Sequence, residues 1–556
     1  MPKTCLPLFA LLLPCLAAPA QVKLAAPFQS HMVVQRDITA PVWGTATKGE
    51  RVTVKFRGQT VSTTTASNGT WRIKLNKGAA GGPFVMTITG QNNKLTLTDV
   101  MVGDVWLCSG QSNMVWNLAR TDNGATAINT AGQWGLRLWK VGSAWQAASS
   151  QTAPNFSAVA FYFGRAMAKR YKVPIGLIQG ARGGTRISTW QVGAGNYKTY
   201  IAPTQGLAIR GALWYQGESD AQPALSGIYE DALRKLITDW RKIWGQGNFP
   251  FLWVQIAKFK TGRNPDWMKV QEAQAHALDL PDSAMACILD LPAPSIHPTR
   301  KLPVGQRLAL AARAVAFGEK ITHMGPLLDP ARTVISSREI KIAFLNGSGL
   351  KSTGGAPNHF EIAGSDLRYV PASARISGSS VIVSSPQVSH PIAARYAWVP
   401  FPSINLFNGI GLPASPFRFL AQHARVGKGC GISPAPSLTG STAPRIGRRF
   451  ALELSNLPPR RNGAMLVGAS NQRWGKLTLP FDLSSIGMPG CKLHSSGEIQ
   501  IGFTSSAAGK HQLAVTLPRT ATLLGSSFHD QAFVITPGAN PAGVVATNAG
   551  MGRLGY

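Results

Sequence analysis

Beyond residue 20, apolar and polar positions alternate in short runs. Val52-Thr53-Val54-Lys55-Phe56 and Trp71-Arg72-Ile73-Lys74-Leu75 each repeat with a period of two, and Val85-Met86-Thr87-Ile88-Thr89 follows as another strand-like run. That period sends successive side chains to opposite faces of a strand, so residues 21–99 are predicted to form an all-β sandwich. Asn68-Gly69 stands between Val61-Ser62-Thr63-Thr64-Thr65 and the Trp71 run, which predicts a hairpin there. From residue 100 the pattern changes. Short apolar runs, expected as strands at 175–178, 213–215, 251–256 and 285–289, alternate with helical periods at 158–171, 228–244, 268–278 and 304–317. This alternation predicts an α/β domain over 100–325, a parallel sheet with helices on both faces. Residues 326–420 return to strands, among them Ile340-Lys341-Ile342-Ala343-Phe344 and Ser380-Val381-Ile382-Val383. A last β region, 421–556, is expected as an accessory sandwich, entered through a Gly-, Pro-, Ser- and Thr-rich linker near 427–443. The fold class is multidomain, a central α/β sheet flanked by β-sandwich domains.

The first twenty residues carry a different pattern. Lys3, an apolar run over 6–17 and Ala18-Pro19-Ala20 read as a signal peptide with its cleavage site. A secreted or periplasmic protein is expected, and no later segment is long and apolar enough to span a bilayer. Export permits disulfides. Cys430 and Cys491, both in Gly-Cys settings near turns, are the expected pair, while Cys108 and Cys287 fall in strand-like runs and are expected as buried thiols. No Cys/His spacing suggests a metal, and no cofactor is expected. The chain holds 56 Lys and Arg against 24 Asp and Glu, a net charge of +32. Such a surface attracts polyanions. Without an Arg-rich block or a nucleic-acid motif, an anionic glycan or acidic cell surface fits better than nucleic acid.

Ser109-Gly110-Gln111-Ser112-Asn113-Met114 follows the strand-like run Met101-Val102-Gly103-Asp104-Val105-Trp106-Leu107-Cys108. A serine on a glycine turn past a strand end is where hydrolases expose a nucleophile. Serine needs a base. Of the two histidines in the α/β region, His276 lies mid-helix and is expected to be structural. His297 lies in the loop after the last strand, at the sheet rim where sites form. Acyl transfer also needs donors for the oxyanion. Gly183-Gly184-Thr185 offers backbone N–H groups, and Trp214-Tyr215-Gln216-Gly217-Glu218-Ser219-Asp220 offers the Gln216 amide.

These runs resemble the sialate O-acetylesterase-type branch of the SGNH/GDSL hydrolases. The resemblance extends through Phe28-Gln29-Ser30-His31-Met32-Val33-Val34-Gln35-Arg36-Asp37, Ile296-His297-Pro298, Val304-Gly305-Gln306-Arg307-Leu308-Ala309 and Asn405-Leu406-Phe407-Asn408-Gly409-Ile410-Gly411-Leu412-Pro413, covering roughly residues 24–420. It implies an SGNH-type sheet, Ser112 as nucleophile, His297 as base, and oxyanion or substrate contacts from Ser112, Gly183, Gln216 and Glu218. The implied reaction is hydrolysis of O-acetyl esters on sugars through an acetyl-serine, without a metal.

Two departures stand out. Ser295 and Pro294 occupy positions where the family often carries the aspartate that orients its histidine. Asp290 is the nearest acid and the candidate third member; a backbone carbonyl is the alternative. Arg182 and Arg186 flank the Gly183 turn, which points to an anionic sugar or to weak turnover. The second reading is therefore a catalytically impaired relative that binds acidic glycans. The sugar and the oligomeric state are not legible.

Overall fold

The computed structural model describes residues 21–554, except 261–265, 337, 365, 390, 421–422, 441–443, 519, 521–522 and 524–525. The expected signal peptide, residues 1–20, lies outside the described residues. The chain divides into two compact units, one ending at Met324 and the other beginning at Gly325.

The first unit is organised by one strand, Lys94–Gly110. Its first half pairs antiparallel with Gly81–Thr89 and parallel with Val33–Gln35. Its second half is fully buried and lies between two parallel neighbours, Ile175–Ala181 and Gly211–Tyr215. Leu136–Lys140 extends the parallel array on one side; Phe251–Val254 and Ser283–Ala286 extend it on the other. The short strand Gln146–Ala147 adds an antiparallel edge. Residues 99 and 100, the expected division between two domains, thus lie inside a continuous strand.

Alternation decides what packs where. Trp106, Cys108, Leu213 and Tyr215 join a cluster with the helices Ala158–Tyr171 and Leu302–Val315. Trp214 points the other way and meets Trp190 and Trp240 edge to face, at 5.8 and 5.9 Å. Trp240 belongs to the helix Tyr229–Trp244. These helices begin and end where local chemistry stops them. Ser157 caps the first by accepting from the Ala160 N–H at 3.2 Å. Gly245, at φ 65°, closes the Tyr229 helix in the left-handed conformation. His276 ends the helix Asp266–His276 and bonds Glu230 at 3.0 Å, a structural contact.

The Asn68-Gly69 turn forms, with the Ala66 N–H donating to Thr70 O at 2.8 Å, yet it makes no hairpin. Gln59–Thr64 pairs with Arg51–Phe56, whereas Thr70–Leu75 pairs with Ala40–Thr45 in a separate sheet. Thr65 explains the parting. Its N–H and hydroxyl both bind Glu50 O at 2.9 Å, which anchors the first strand to the Arg51 side before the turn begins.

The second unit is strand-rich. Leu327–Ile335, Glu339–Leu345, Ser380–Ser384 and Ser373–Ser377 form one sheet; Val370–Pro371, Phe360–Ala363, Ala393–Tyr396 and Phe417–Leu420 form another. Phe344 of the first meets Phe417 of the second at 5.9 Å. Further along, a five-stranded sheet includes Asn462–Gly468, Ser527–Ile535 and Val544–Arg553. The 427–443 stretch, expected as a linker, carries the strand Ser437–Gly440 and Cys430, which is disulfide-bonded to Cys491. Cys108 and Cys287 are buried and, among the described residues, form no disulfide. Among the described residues no helix is long and apolar enough to cross a membrane.

Candidate active site

The strand Lys94–Gly110 ends between two loops and is tied to both. Gly110 O accepts from the Arg182 N–H at 3.1 Å, and the Gln111 N–H donates to Tyr215 O at 2.9 Å. Gly110 has φ 134°, and a Cβ there would fall 2.1 Å from Tyr215 O. Only glycine lets the chain turn this close to its neighbour. The turn delivers Ser112 at the start of the short helix Ser112–Val115, half-buried at the carboxyl end of the sheet. Ser112 Oγ lies 2.7 Å from His297 Nε2, across 185 residues of sequence. The Gly183 turn comes up beside them: a Cβ at Gly183 would sit 3.5 Å from Ser112 Cβ. Among the described residues, neither the Ser112 nor the Gly183 N–H donates to a protein acceptor.

His297 is held from several sides. Its ring stacks on Trp116, with centroids 5.1 Å apart and planes 20° from parallel. Trp116 is fixed in turn by its indole N–H donating to Arg120 O at 3.1 Å, and the Arg120 guanidinium lies 5.7 Å from its ring. Ser295 Oγ accepts from the His297 N–H at 3.1 Å and so bonds the backbone rather than the ring.

Three other sequence-derived candidates are placed elsewhere. Asp290 is bound fork to fork by Arg307, at 2.7 and 2.6 Å, and is not brought to His297. No carboxylate pairs with His297 among the described residues. Gln216 is fully buried and its amide is spent inside the protein: Nε2 donates to Asp220, to Thr185 O at 3.0 Å and to Gln111 at 3.2 Å. It therefore has no hydrogen to give an oxyanion at Ser112. Glu218 is buried too, with Oε1 accepting from Asn113 Nδ2 at 2.6 Å.

A family model described as carbohydrate esterase, sialic acid-specific acetylesterase, matches residues 102–313, the span that contains Ser112, Gly183 and His297. A solved carbohydrate acetylesterase from Xanthomonas citri is 36% identical, with a TM-score of 0.69, and the match covers 72% of this chain and 99% of that one. The chain belongs to the sialate O-acetylesterase-type family of carbohydrate esterases. The sialate O-acetylesterase of Homo sapiens is 29% identical over 484 residues, 71% of this chain and 92% of that protein. That of Pongo abelii is 28% identical over the same length.

In this sialate O-acetylesterase-type chain the ionisable groups behind the Ser112–His297 pair are displaced from their usual values. Burial, and secondarily the charge of Lys301, lowers the His297 pKa. Burial lowers Lys301 to about 7, against the pull of Glu218, and it raises Glu218. Lys301 is 1% exposed and its ammonium donates to Asn113 Oδ1. Sequence reasoning passed over Trp116, Asn113 and Lys301. Asn113 was visible in the nucleophile block, but nothing local to Lys301 marks it as buried.

Proposed function

We propose that this esterase is an exported carbohydrate O-acetylesterase that works through an acetyl-serine. The observation that carries the reading is the 2.7 Å contact between Ser112 Oγ and His297 Nε2 at the carboxyl rim of the sheet. In this reading Ser112 Oγ attacks the acetyl carbonyl while His297 Nε2 takes its proton. The oxyanion is met by the free N–H groups of Ser112 and Gly183. The tetrahedral intermediate collapses, and the sugar hydroxyl leaves with the proton from His297. Water, deprotonated by the same Nε2, then releases acetate and restores Ser112. The Trp116 stack does the orienting that a carboxylate does elsewhere. It offers no negative charge to the imidazolium, so His297 bears that charge without the usual partner. We read the central sheet as the SGNH-type scaffold and the strand-rich regions beside it as sandwiches. Arg182 and Arg186, both exposed beside the Gly183 turn, are the groups we expect an anionic sugar to meet.

A fluorophosphonate probe tests the assignment directly. It is expected to add once, on the peptide containing Ser112, and to abolish acetate release from acetylated glycans. Labelling elsewhere with loss of activity, or labelling of Ser112 with full activity, overturns it.

The acid limb of the pH profile follows from the displaced histidine. Only the neutral imidazole can take the serine proton, and its folded pKa lies below the ordinary 6.5. His297 therefore stays competent to lower pH than a free imidazole. The acid half-point of kcat/KM is expected below 6.5, measured with a neutral acetyl ester. A half-point above that value contradicts the lowered pKa of His297.

A further inference from the structure

Behind Ser112 lies a buried cluster that the reaction above does not use. Asn113 is fully buried, and its side-chain amide faces three groups. Nδ2 donates to Glu218 Oε1 at 2.6 Å and to the backbone carbonyl of Ile296 at 2.9 Å. Oδ1 accepts from the Lys301 ammonium. Ile296 immediately precedes His297, so this one amide ties the residue after Ser112 to the residue before His297. The second Glu218 oxygen, Oε2, is buried without a hydrogen-bond partner, as is the Tyr215 hydroxyl, whose ring lies 5.2 Å from the Lys301 Nζ.

Such a cluster is expensive to bury. Ions removed from water cost several kcal/mol each, and similar buried pairs can be replaced by apolar groups without loss of stability. What the two ions do is fix a direction. An asparagine amide has a donor end and an acceptor end of nearly equal shape. With Lys301 protonated on one side and Glu218 ionised on the other, only one orientation is favourable. The flipped amide would turn NH2 toward an ammonium and C=O toward a carboxylate. It would also present oxygen to the carbonyl of Ile296 and lose the tie to the histidine loop.

We propose that Lys301 and Glu218 set the direction of the Asn113 amide, and that this amide holds the His297 loop in register with Ser112. All three are positioning residues. The proposal rests on Ser112 and His297 acting as nucleophile and base. It also places Glu218 behind the nucleophile, away from any direct contact with substrate.

The test compares wild type, Lys301→Met and Glu218→Gln on 4-nitrophenyl acetate, with folding checked by circular dichroism and melting. A misplacement of about 1 Å at a reacting group can cost about a hundredfold. Lys301→Met is therefore expected to lower kcat by about ten- to a hundredfold while KM changes less than about twofold. The acid limb should move to higher pH, because the imidazole loses a positive neighbour. Lys301 is the charged group that His297 feels; Ser112 and Trp116 face its ring, and Arg120 lies beyond the indole. Glu218→Gln should lower kcat in the same sense, and the double variant should be no worse than Lys301→Met, because both act through one amide. Folded Lys301→Met with unchanged kcat and acid limb overturns the proposal. If Lys301→Met does not fold, Glu218→Gln decides alone: unchanged kcat and acid limb overturn the proposal, and a lowered kcat with unchanged KM supports it. Wild-type turnover that survives Ser112→Ala removes the underlying reading instead, so the two failures are distinct.

Discussion

Ser112→Ala lowers kcat for an acetyl ester by about 10⁴- to 10⁶-fold and leaves the fold intact. Among the described residues the serine hydroxyl makes one hydrogen bond, to His297, and the residue is half-buried, so alanine removes the proposed nucleophile without opening a cavity in the core. Ser109, three residues upstream, is fully buried inside the sheet and is not placed to take over. On the proposed mechanism, what survives is the binding of substrate and the pair of N–H groups, which would sustain slow attack by water. The measurement is steady-state turnover of 4-nitrophenyl acetate, with the melting midpoint as control. Turnover above about one per cent of the parent, with an unchanged midpoint, would place the nucleophile elsewhere.

The largest expected effect on stability lies at the other end of the same strand. Asp104 is fully buried and accepts from the guanidinium groups of Arg36, at 3.0 Å on both oxygens, and of Arg210, at 3.0 Å from Nε and 2.9 Å from Nη2. Gln35 adds a bond at 3.3 Å. Arg36 follows Val33–Gln35, and Arg210 precedes Gly211–Tyr215, so the carboxylate fastens three parallel strands where they enter the sheet. Asp104→Asn keeps the shape and removes the charge, leaving two mostly buried cations to share Asp37 at the surface. Breaking a buried ion pair from one side costs about 3–5 kcal/mol. At roughly 2 °C per kcal/mol for a unit this large, the melting midpoint should fall by about 6–10 °C. Six residues of strand run from Asp104 to Gly110, about 20 Å, before the turn to Ser112, so turnover well below the midpoint should be unchanged. A shift under about 2 °C would mean that Asp37 compensates fully.

The sequence made the helices legible because their ends are local chemistry: Ser157 and Gly245 sit where the periodic pattern begins and stops. Ser112 and His297 were legible for a topological reason. Strand-helix alternation puts every strand-to-helix loop on one rim, so residues 185 apart in sequence could be expected to meet. The same rule misled at Gln216 and Glu218. It locates a loop but not the direction of each side chain within it. Gly217, at φ 149°, turns this loop so that both side chains run inward. Asn68-Gly69 failed in a related way, since the turn is local but the choice of strand partner belongs to Thr65 and Glu50. Lys301 was the least legible. A lysine at the start of a helix normally faces water, and its burial here depends on Asn113, 188 residues earlier.

The continuity of Lys94–Gly110 bears on how such a chain can change over generations. Its first half completes the amino-terminal sheet and its second half is the centre of the sheet that carries Ser112. A genetic exchange that swapped the amino-terminal strands for another module would have to cut this strand or leave half of it without neighbours. An exchange that keeps this strand whole would therefore have to move the front strands and the Ser112 rim together, whatever is exchanged after Met324.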